Sequence, residues 1–268
     1  MWALRRPWFP TSLRLGLPLY SAAGPSGLRP SVLQDLLCRT RRSGDLLPAL
    51  ALFVQACVNG VLPVSLGPML CAARLIPLKK KDGGVRPVAV GDVLRRVVGK
   101  CFLRHPHLAE QVRGLQPLQL GVGVPSACPT IVYALRRAAN ELPLSGDWAV
   151  LQVDMANAFN TVARSAIMSG ARVKVPAVVP WLEFCYSKTV PLFTGDTCIN
   201  SVTGTHQGCP MGPLGFALGI HAALQSTAFY LDDGHLLGSM TDLAAVFPVL
   251  QAQLAGVGLR ANLRKCNL

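Results

Sequence analysis

Ala228-Phe229-Tyr230-Leu231-Asp232-Asp233-Gly234-His235-Leu236-Leu237-Gly238 sets two adjacent carboxylates between two short apolar runs. The pattern predicts a tight hairpin with both acids at its tip, since Asp and Gly accept turn geometry while apolar neighbours pair as strands. Alone, Asp232-Asp233 is what an ordinary hairpin turn carries. A second stretch changes the reading. Trp148-Ala149-Val150-Leu151-Gln152-Val153-Asp154 predicts a buried strand ending on an acid, and Met155-Ala156-Asn157-Ala158-Phe159 follows it. A bare carboxylate at the end of a buried strand is costly unless something pairs with it. A divalent cation is one such partner, and phosphoryl transfer uses two of them about 3.5–4 Å apart, bridged by carboxylates. Separated strands that each deliver acids imply an α+β fold, with an antiparallel sheet flanked by helices.

Working outward, residues 71–80 and 85–90 predict two strands joined by the turn Lys81-Asp82-Gly83-Gly84, with Lys79, Lys80, Lys81 and Arg86 at or beside its tip. A helix is expected from about Asp92, with Val93, Leu94, Val97, Val98 and Cys101 on one side and Arg95, Arg96 and Lys100 toward another. Residues 22–31 predict a loop, after which Ser31 caps a helix through Gln34–Leu37. Further helices are expected over 126–140, 162–171, 177–187 and 241–256. Residues 189–203 predict a hairpin around Gly195-Asp196, and Gly204–Pro213 a Gly/Pro loop opening a helix to about Ser226.

The 268 residues suffice for one large core or two lobes around a cleft. A charged fraction of 15% and a mean hydropathy of +0.39 exclude a disordered tail. The net charge of +13 asks for an anionic partner. It is uneven: residues 1–117 hold 17 Lys/Arg against 5 Asp/Glu (+12), and residues 118–268 hold 9 against 8 (+1). One lobe would grip phosphates and the other would hold metal. The 9 cysteines include no C-x-x-C pair, which argues against a disulfide scaffold or zinc ribbon and for a reducing intracellular compartment, nucleus or cytoplasm. The first 20 residues, with Arg5, Arg6 and Arg14 and no acid, resemble a mitochondrial presequence and leave that organelle open. His105 and His107 are expected on the surface. The uncharged run between Asp45 and Arg74 is broken by Pro48, Gln55, Asn59, Gly60, Pro63 and Pro68. A buried helix near 46–58 is therefore expected, with no membrane partner.

Tyr230-Leu231-Asp232-Asp233 resembles the Tyr-x-Asp-Asp box of reverse transcriptases, and Val153-Asp154 through Phe159 resembles their first carboxylate motif. Gly204–Pro213 is similar to their Gln-Gly-x-Pro loop, and Arg74–Pro77 with Lys79–Pro87 to their fingers hairpin. Gln119-Leu120-Gly121-Val122-Gly123 with Ala134-Leu135-Arg136 resembles the segment before the palm in the non-LTR retrotransposon (LINE-like) branch. Gly258-Leu259, Asn262 and Lys265-Cys266 resemble the last palm motif. Six motifs in the family's order are far more specific than any one of them.

The resemblance implies a right-hand polymerase, with an N-terminal extension over 1–21, fingers over 22–147 and a palm over 148–268. It implies RNA template, DNA primer and dNTPs as partners and two Mg²⁺ ions (or Mn²⁺) as cofactor. Asp154, the Met155 carbonyl, Asp232 and Asp233 would ligate metal. Phe159 would be a steric gate against a ribose 2′-hydroxyl. Asn157 and Ala158 would offer backbone N–H groups to the triphosphate. Gln207 and Gly208 would contact the incoming nucleotide. Lys79, Lys80, Lys81 and Arg86 would hold the triphosphate, and Lys265 would be the proton donor to pyrophosphate. Compared with that family, only 16 residues separate Pro213 from Tyr230, and the chain stops at Leu268 without a helical thumb or an endonuclease, RNase H or zinc-knuckle segment. The competing readings are an RNA-dependent RNA polymerase, which has an acid where Phe159 stands and Gly where Leu231 stands, and a non-catalytic nucleic-acid-binding relic of a retroelement.

Overall fold

A computed structural model describes residues 17–39, 43–80, 83–142, 146–224 and 228–268. The chain begins with α1 (Pro30–Arg39), α2 (Ser43–Val58), a 3-10 turn at Val64–Leu66 and α3 (Gly67–Cys71). The strands β1 (Ala73–Lys79) and β2 (Val85–Gly91) lead into α4 (Val93–Arg104), α5 (Pro106–Arg113) and α6 (Ala127–Glu141). Next come β3 (Trp148–Asp154), α7 (Ala158–Thr161), α8 (Arg164–Lys174), α9 (Val179–Tyr186), β4 (Val190–Thr194) and β5 (Thr197–Ser201). The chain closes with α10 (Gly212–His221), β6 (Ala228–Tyr230), β7 (Asp233–Ser239) and α11 (Met240–Gly256). These elements form two compact units, one of Met1–Leu108, Pro176–Val202 and His206–Gly212, the other of Ala109–Val175, Thr203–Thr205 and Pro213–Leu268.

The first unit is built on a four-stranded sheet of order β2-β1-β4-β5. β1 and β2 pair antiparallel from Ala73↔Gly91 to Lys79↔Val85, and β4 joins β1 in parallel at Ala73↔Leu192. The expected buried helix near 46–58 is half-buried: Leu50, Val54 and Cys57, spaced four and three residues apart, form a stripe inside, and Leu52 stays outside. Trp181 of α9 stacks on Phe184 at 5.5 Å and on Phe102 of α4 at 6.4 Å. Ser31 does not cap α1; Pro30 already lies in its first turn, where a missing N–H costs nothing. The cap appears instead at Asp92, whose side chain accepts from the Leu94 N–H at 3.0 Å and starts α4. His105 and His107, expected on the surface, are half-buried and meet edge-on at 6.5 Å.

The arginine side of α4 does not face open solvent. Arg95 is 2% exposed. Its Nη1 donates to the Cys71 carbonyl at 2.8 Å and lies 2.9 Å from His206 Nδ1, while Nη2 donates to the Tyr186 hydroxyl at 3.3 Å. A guanidinium only donates, so His206 accepts at Nδ1 and carries its proton on Nε2, 3.3 Å from Ser201 Oγ. Burial holds the Tyr186 hydroxyl far above its ordinary pKa, which keeps it neutral. Arg96 is likewise covered, donating to Ser21 Oγ at 3.0 Å and the Ala22 carbonyl at 2.9 Å. Arginine suits such sites because its rigid fork satisfies several acceptors at once.

The second unit carries an antiparallel sheet of order β3-β7-β6. β3 and β7 pair from Trp148↔Ser239 to Asp154↔Asp233. β3 is not buried throughout; Leu151 and Val153 point into the core, while Gln152 is exposed, as one-sided antiparallel sheets require. The C-terminal segment lies along the free edge of β3 through Gln152↔Asn267 and Met155↔Ala261. α10 is apolar all round and buries Leu214, Phe216, Leu218 and Ile220. It ends at His221 rather than near Ser226, a position outside the described residues. Gly170 lets α8 approach it, because a Cβ there would overlap the Leu218 carbonyl. Ser239 caps α11 by accepting from the Asp242 N–H at 3.0 Å. No helix among the described residues is long and apolar enough to cross a membrane.

Candidate active site

In the second unit the β3–β7 register sets Asp154 directly opposite Asp233. Tyr230 pairs with Asp233 on the other side, so Leu231 and Asp232 form the turn itself. Directly opposed residues of an antiparallel pair have Cα atoms about 4.5–5.5 Å apart. Asp232 is therefore one residue away from a position facing Asp154. Leu231 has φ +56°, a left-handed conformation that costs a side-chain-bearing residue about 1–2 kcal/mol.

Asp154 is half-buried and Asp233 exposed. The Asp154 Oδ2 accepts from Asn262 Nδ2 at 3.1 Å, and its main-chain carbonyl accepts from the Asn262 N–H at 2.8 Å. No lysine or arginine among the described residues forms an ion pair with Asp154 or Asp233. Like charges facing each other across a ladder repel, so the pair carries negative charge that the described residues leave uncompensated. Among them, no three His, Cys, Asp or Glu side chains converge as a ligand cluster. Two carboxylates nonetheless suit Mg²⁺, which is commonly held by one or two of them, with substrate phosphates and water completing the shell.

Following β3, Met155 is buried, Asn157 turns the chain with φ +56°, and Ala158 is buried at the start of α7. Phe159 is half-buried, its ring stacked on buried Phe216 at 4.7 Å with 23° between planes. Its carbonyl accepts from the Thr205 N–H at 2.7 Å. Gly204, with φ +67°, is required there because a Cβ would run into the Phe159 and Asn160 backbone. The ring is thus packed against Phe216 while the backbone beside it is held by Thr205 and Gly204. Lys265 is exposed, its N–H donating to the Asn262 carbonyl at 2.8 Å. The structure therefore gathers Asp154, Met155, Asn157, Ala158, Phe159, Asp232, Asp233 and, through Asn262, the Lys265 segment into one unit.

The remaining candidates belong to the first unit. Lys79 and Arg86 are exposed on β1 and β2, where Leu78↔Arg86 and Lys79↔Val85 pair. The Lys80 N–H donates to the Gly84 carbonyl at 2.7 Å, closing the hairpin tip. Lys81 lies outside the described residues. The Gln207 carbonyl accepts from the Ala89 N–H at 2.7 Å, and Gly208, at φ +113°, passes so close to the Ala89 carbonyl that a Cβ would sit 2.7 Å from it.

Two residues that touch this machinery received no role from the sequence. Asn262 was visible only as part of the last palm motif; an amide opposite a strand-end acid carries no local signal. Gln119 is completely buried, and nothing in its own segment announces that.

Residues 78–268 match the family described as reverse transcriptase (RNA-dependent DNA polymerase). No curated protein matches the chain. Among solved structures, the chain is similar to apo telomerase of Candida tropicalis truncated from its C-terminal domain, at TM-score 0.52 and 13% identity, covering 75% of this chain and 50% of that one. It is also similar to telomerase of Candida albicans in complex with a fragment of telomeric RNA, at TM-score 0.54 and 11% identity, covering 77% of this chain and 43% of that one. The chain thus spans half or less of these proteins' length, and at such identity the likeness concerns the fold alone. With the match over residues 78–268 and the polymerase-like α+β fold, this chain belongs to the reverse transcriptase family.

Proposed function

We propose that the chain is the fingers-and-palm core of an RNA-directed DNA polymerase that adds dNTPs to a primer 3′-hydroxyl. The observation that carries this is the opposition of Asp154 to Asp233 across the β3–β7 ladder, with Asp232 in the adjoining turn. The segments Gln119–Gly123 and Ala134–Arg136 support a non-LTR retrotransposon type. Fingers would occupy residues 22–147 and the palm 148–268.

Asp154, Asp232, Asp233 and the Met155 carbonyl fit two Mg²⁺ ions, which when bound would supply an activated attacking oxygen and charge stabilisation for the leaving pyrophosphate. Asn262 orients the Asp154 carboxylate through its 3.1 Å hydrogen bond. Lys79, Lys80, Lys81 and Arg86 would bind the triphosphate, where cationic groups are worth most as charge redistributes in transfer. Backbone N–H groups of Asn157 and Ala158 would do the same at the palm. Gln207 and Gly208 would meet the base pair being formed, and Lys265 would give a proton to pyrophosphate. RNA template and DNA primer are the partners, and the net charge of +13 suits them. One of the similar folds was solved with telomeric RNA, which favours an RNA ligand here too.

Primer extension in Mg²⁺ on an RNA template tests the proposal. The expected result is addition of dNTPs. Extension with NTPs only would make the chain an RNA polymerase, and binding without extension a non-catalytic relic. Phe159 refines the test. Its ring stacks on Phe216 and its main-chain carbonyl accepts from the Thr205 N–H, so the half-buried side chain has the support a wall needs. Phe159→Ala is expected to raise the ratio of ribo- to deoxynucleotide use about ten- to a hundredfold, the discrimination a pocket wall gives against one hydroxyl. An unchanged ratio, measured as kcat/KM for NTP against dNTP, would reduce Phe159 to core packing.

A further inference from the structure

We infer that Gln119 is a positioning residue that sets the turn carrying Asp232. Its side chain is completely buried, an expensive place for a primary amide unless every polar atom is used. Both ends of the amide address one residue. Oε1 accepts from the Leu231 N–H at 2.8 Å, and Nε2 donates to the Leu231 carbonyl at 3.4 Å. The same Oε1 accepts from the Gly121 N–H at 2.9 Å, so the amide is oriented by its own loop. The loop is anchored in turn by the Gln119 N–H to the Leu115 carbonyl at 3.0 Å. Gly121 completes the cradle: a Cβ there would lie 2.5 Å from Leu231 Cγ and 2.7 Å from its nitrogen.

The residue so gripped holds a backbone conformation that a leucine rarely adopts. Leu231, at φ +56°, adopts a conformation that side-chain-bearing residues hold only when their surroundings over-determine it. Gln119 supplies that constraint, replacing the N–H and C=O partners that a turn residue outside the ladder lacks. The next residue is Asp232. Rotation of Leu231 to a right-handed conformation would re-aim the Asp232 carboxylate while Asp233 stayed paired opposite Asp154. Gln119 thereby fixes how Asp232 leaves the turn, without itself touching metal or substrate. The consequence for metal rests on the reading of Asp232 as a ligand; the grip on Leu231 does not.

The test uses the full chain and two readouts besides turnover. Amide exchange at Leu231, followed by NMR, reads the grip. Mn²⁺ titration followed by electron paramagnetic resonance reads the carboxylates, with Asp232→Asn as reference. In the wild type the Leu231 amide is expected to be protected. Gln119→Leu is expected to lose that protection and weaken Mn²⁺ binding about ten- to a hundredfold, the usual cost of removing a group that orients a ligand. Adding Leu231→Gly should recover part of the affinity, because glycine takes the left-handed angle unaided. A merely structural role predicts no such recovery. Unchanged Mn²⁺ affinity in a folded Gln119→Leu chain, or an unprotected Leu231 amide in the wild type, would overturn the inference. The wild-type exchange decides the matter even if Gln119→Leu does not fold. Wild-type Mn²⁺ binding insensitive to Asp232→Asn would instead refute the metal reading and leave the grip to the exchange measurement.

Discussion

Asp154→Asn or Asp232→Asn is expected to abolish nucleotide addition while leaving the fold intact. The substitution is nearly isosteric and removes one negative charge from a cluster where Asp154 already faces Asp233 across the ladder. Losing that repulsion should stabilise the empty protein slightly, since opposed like charges disfavour a strand pair. Losing the ligand should do the opposite to catalysis, because neutral amides bind Mg²⁺ poorly. The fall in kcat is expected to be at least on the order of a hundred- to a thousandfold, the loss seen when one preorganised charge-stabilising group is deleted. Single-turnover addition with thermal melting of each variant checks both halves. Near-wild-type addition by either variant would remove that aspartate from the centre.

The second large effect concerns stability and a residue far from the carboxylates in sequence. Arg95→Ala should destabilise the chain by roughly 2–5 kcal/mol, the range for truncating a large buried side chain. Its guanidinium joins the end of α3 at Cys71, α9 at Tyr186 and the loop at His206, and truncation would remove the donor that each of them accepts from. Arg95→Met, which fills the space, should cost less, about 1–3 kcal/mol for the acceptors left unsatisfied. His206 precedes Gln207, so the alanine variant should also loosen the loop that Ala89 holds. Urea unfolding of both variants tests this, and an alanine cost under about 1 kcal/mol would contradict the buried network.

These two sites show where sequence reading succeeds and where it stops. The strands ending at Asp154 and flanking Asp232-Asp233 were legible because apolar runs bounded by acids and glycines report the local preference of each segment. The hairpin Lys79–Arg86, the β4–β5 hairpin and the helices over 127–141 and 240–256 were legible for the same reason. Pairing was not. That Asp154 faces Asp233 rather than Asp232 depends on register, which a strand does not encode by itself. Charge misled at Arg95 and Arg96: arginines on an amphipathic helix read as a solvated face, yet the acceptors that bury Arg95 come from residues 24, 91 and 111 positions away. Gln119 was hidden likewise, because its partner Leu231 is 112 residues distant. Local signals reveal elements and the acids they carry, whereas long-range polar pairing emerges only once the chain is folded.

Every catalytic role proposed above depends on a dinuclear metal centre at Asp154 and Asp232-Asp233. Anomalous diffraction from crystals of the chain grown with Mn²⁺ and a non-hydrolysable dNTP tests it most directly. Two peaks are expected about 3.5–4 Å apart, in contact with the Asp154 and Asp232 carboxylates. No manganese there, or manganese bound only elsewhere in the chain, would contradict it.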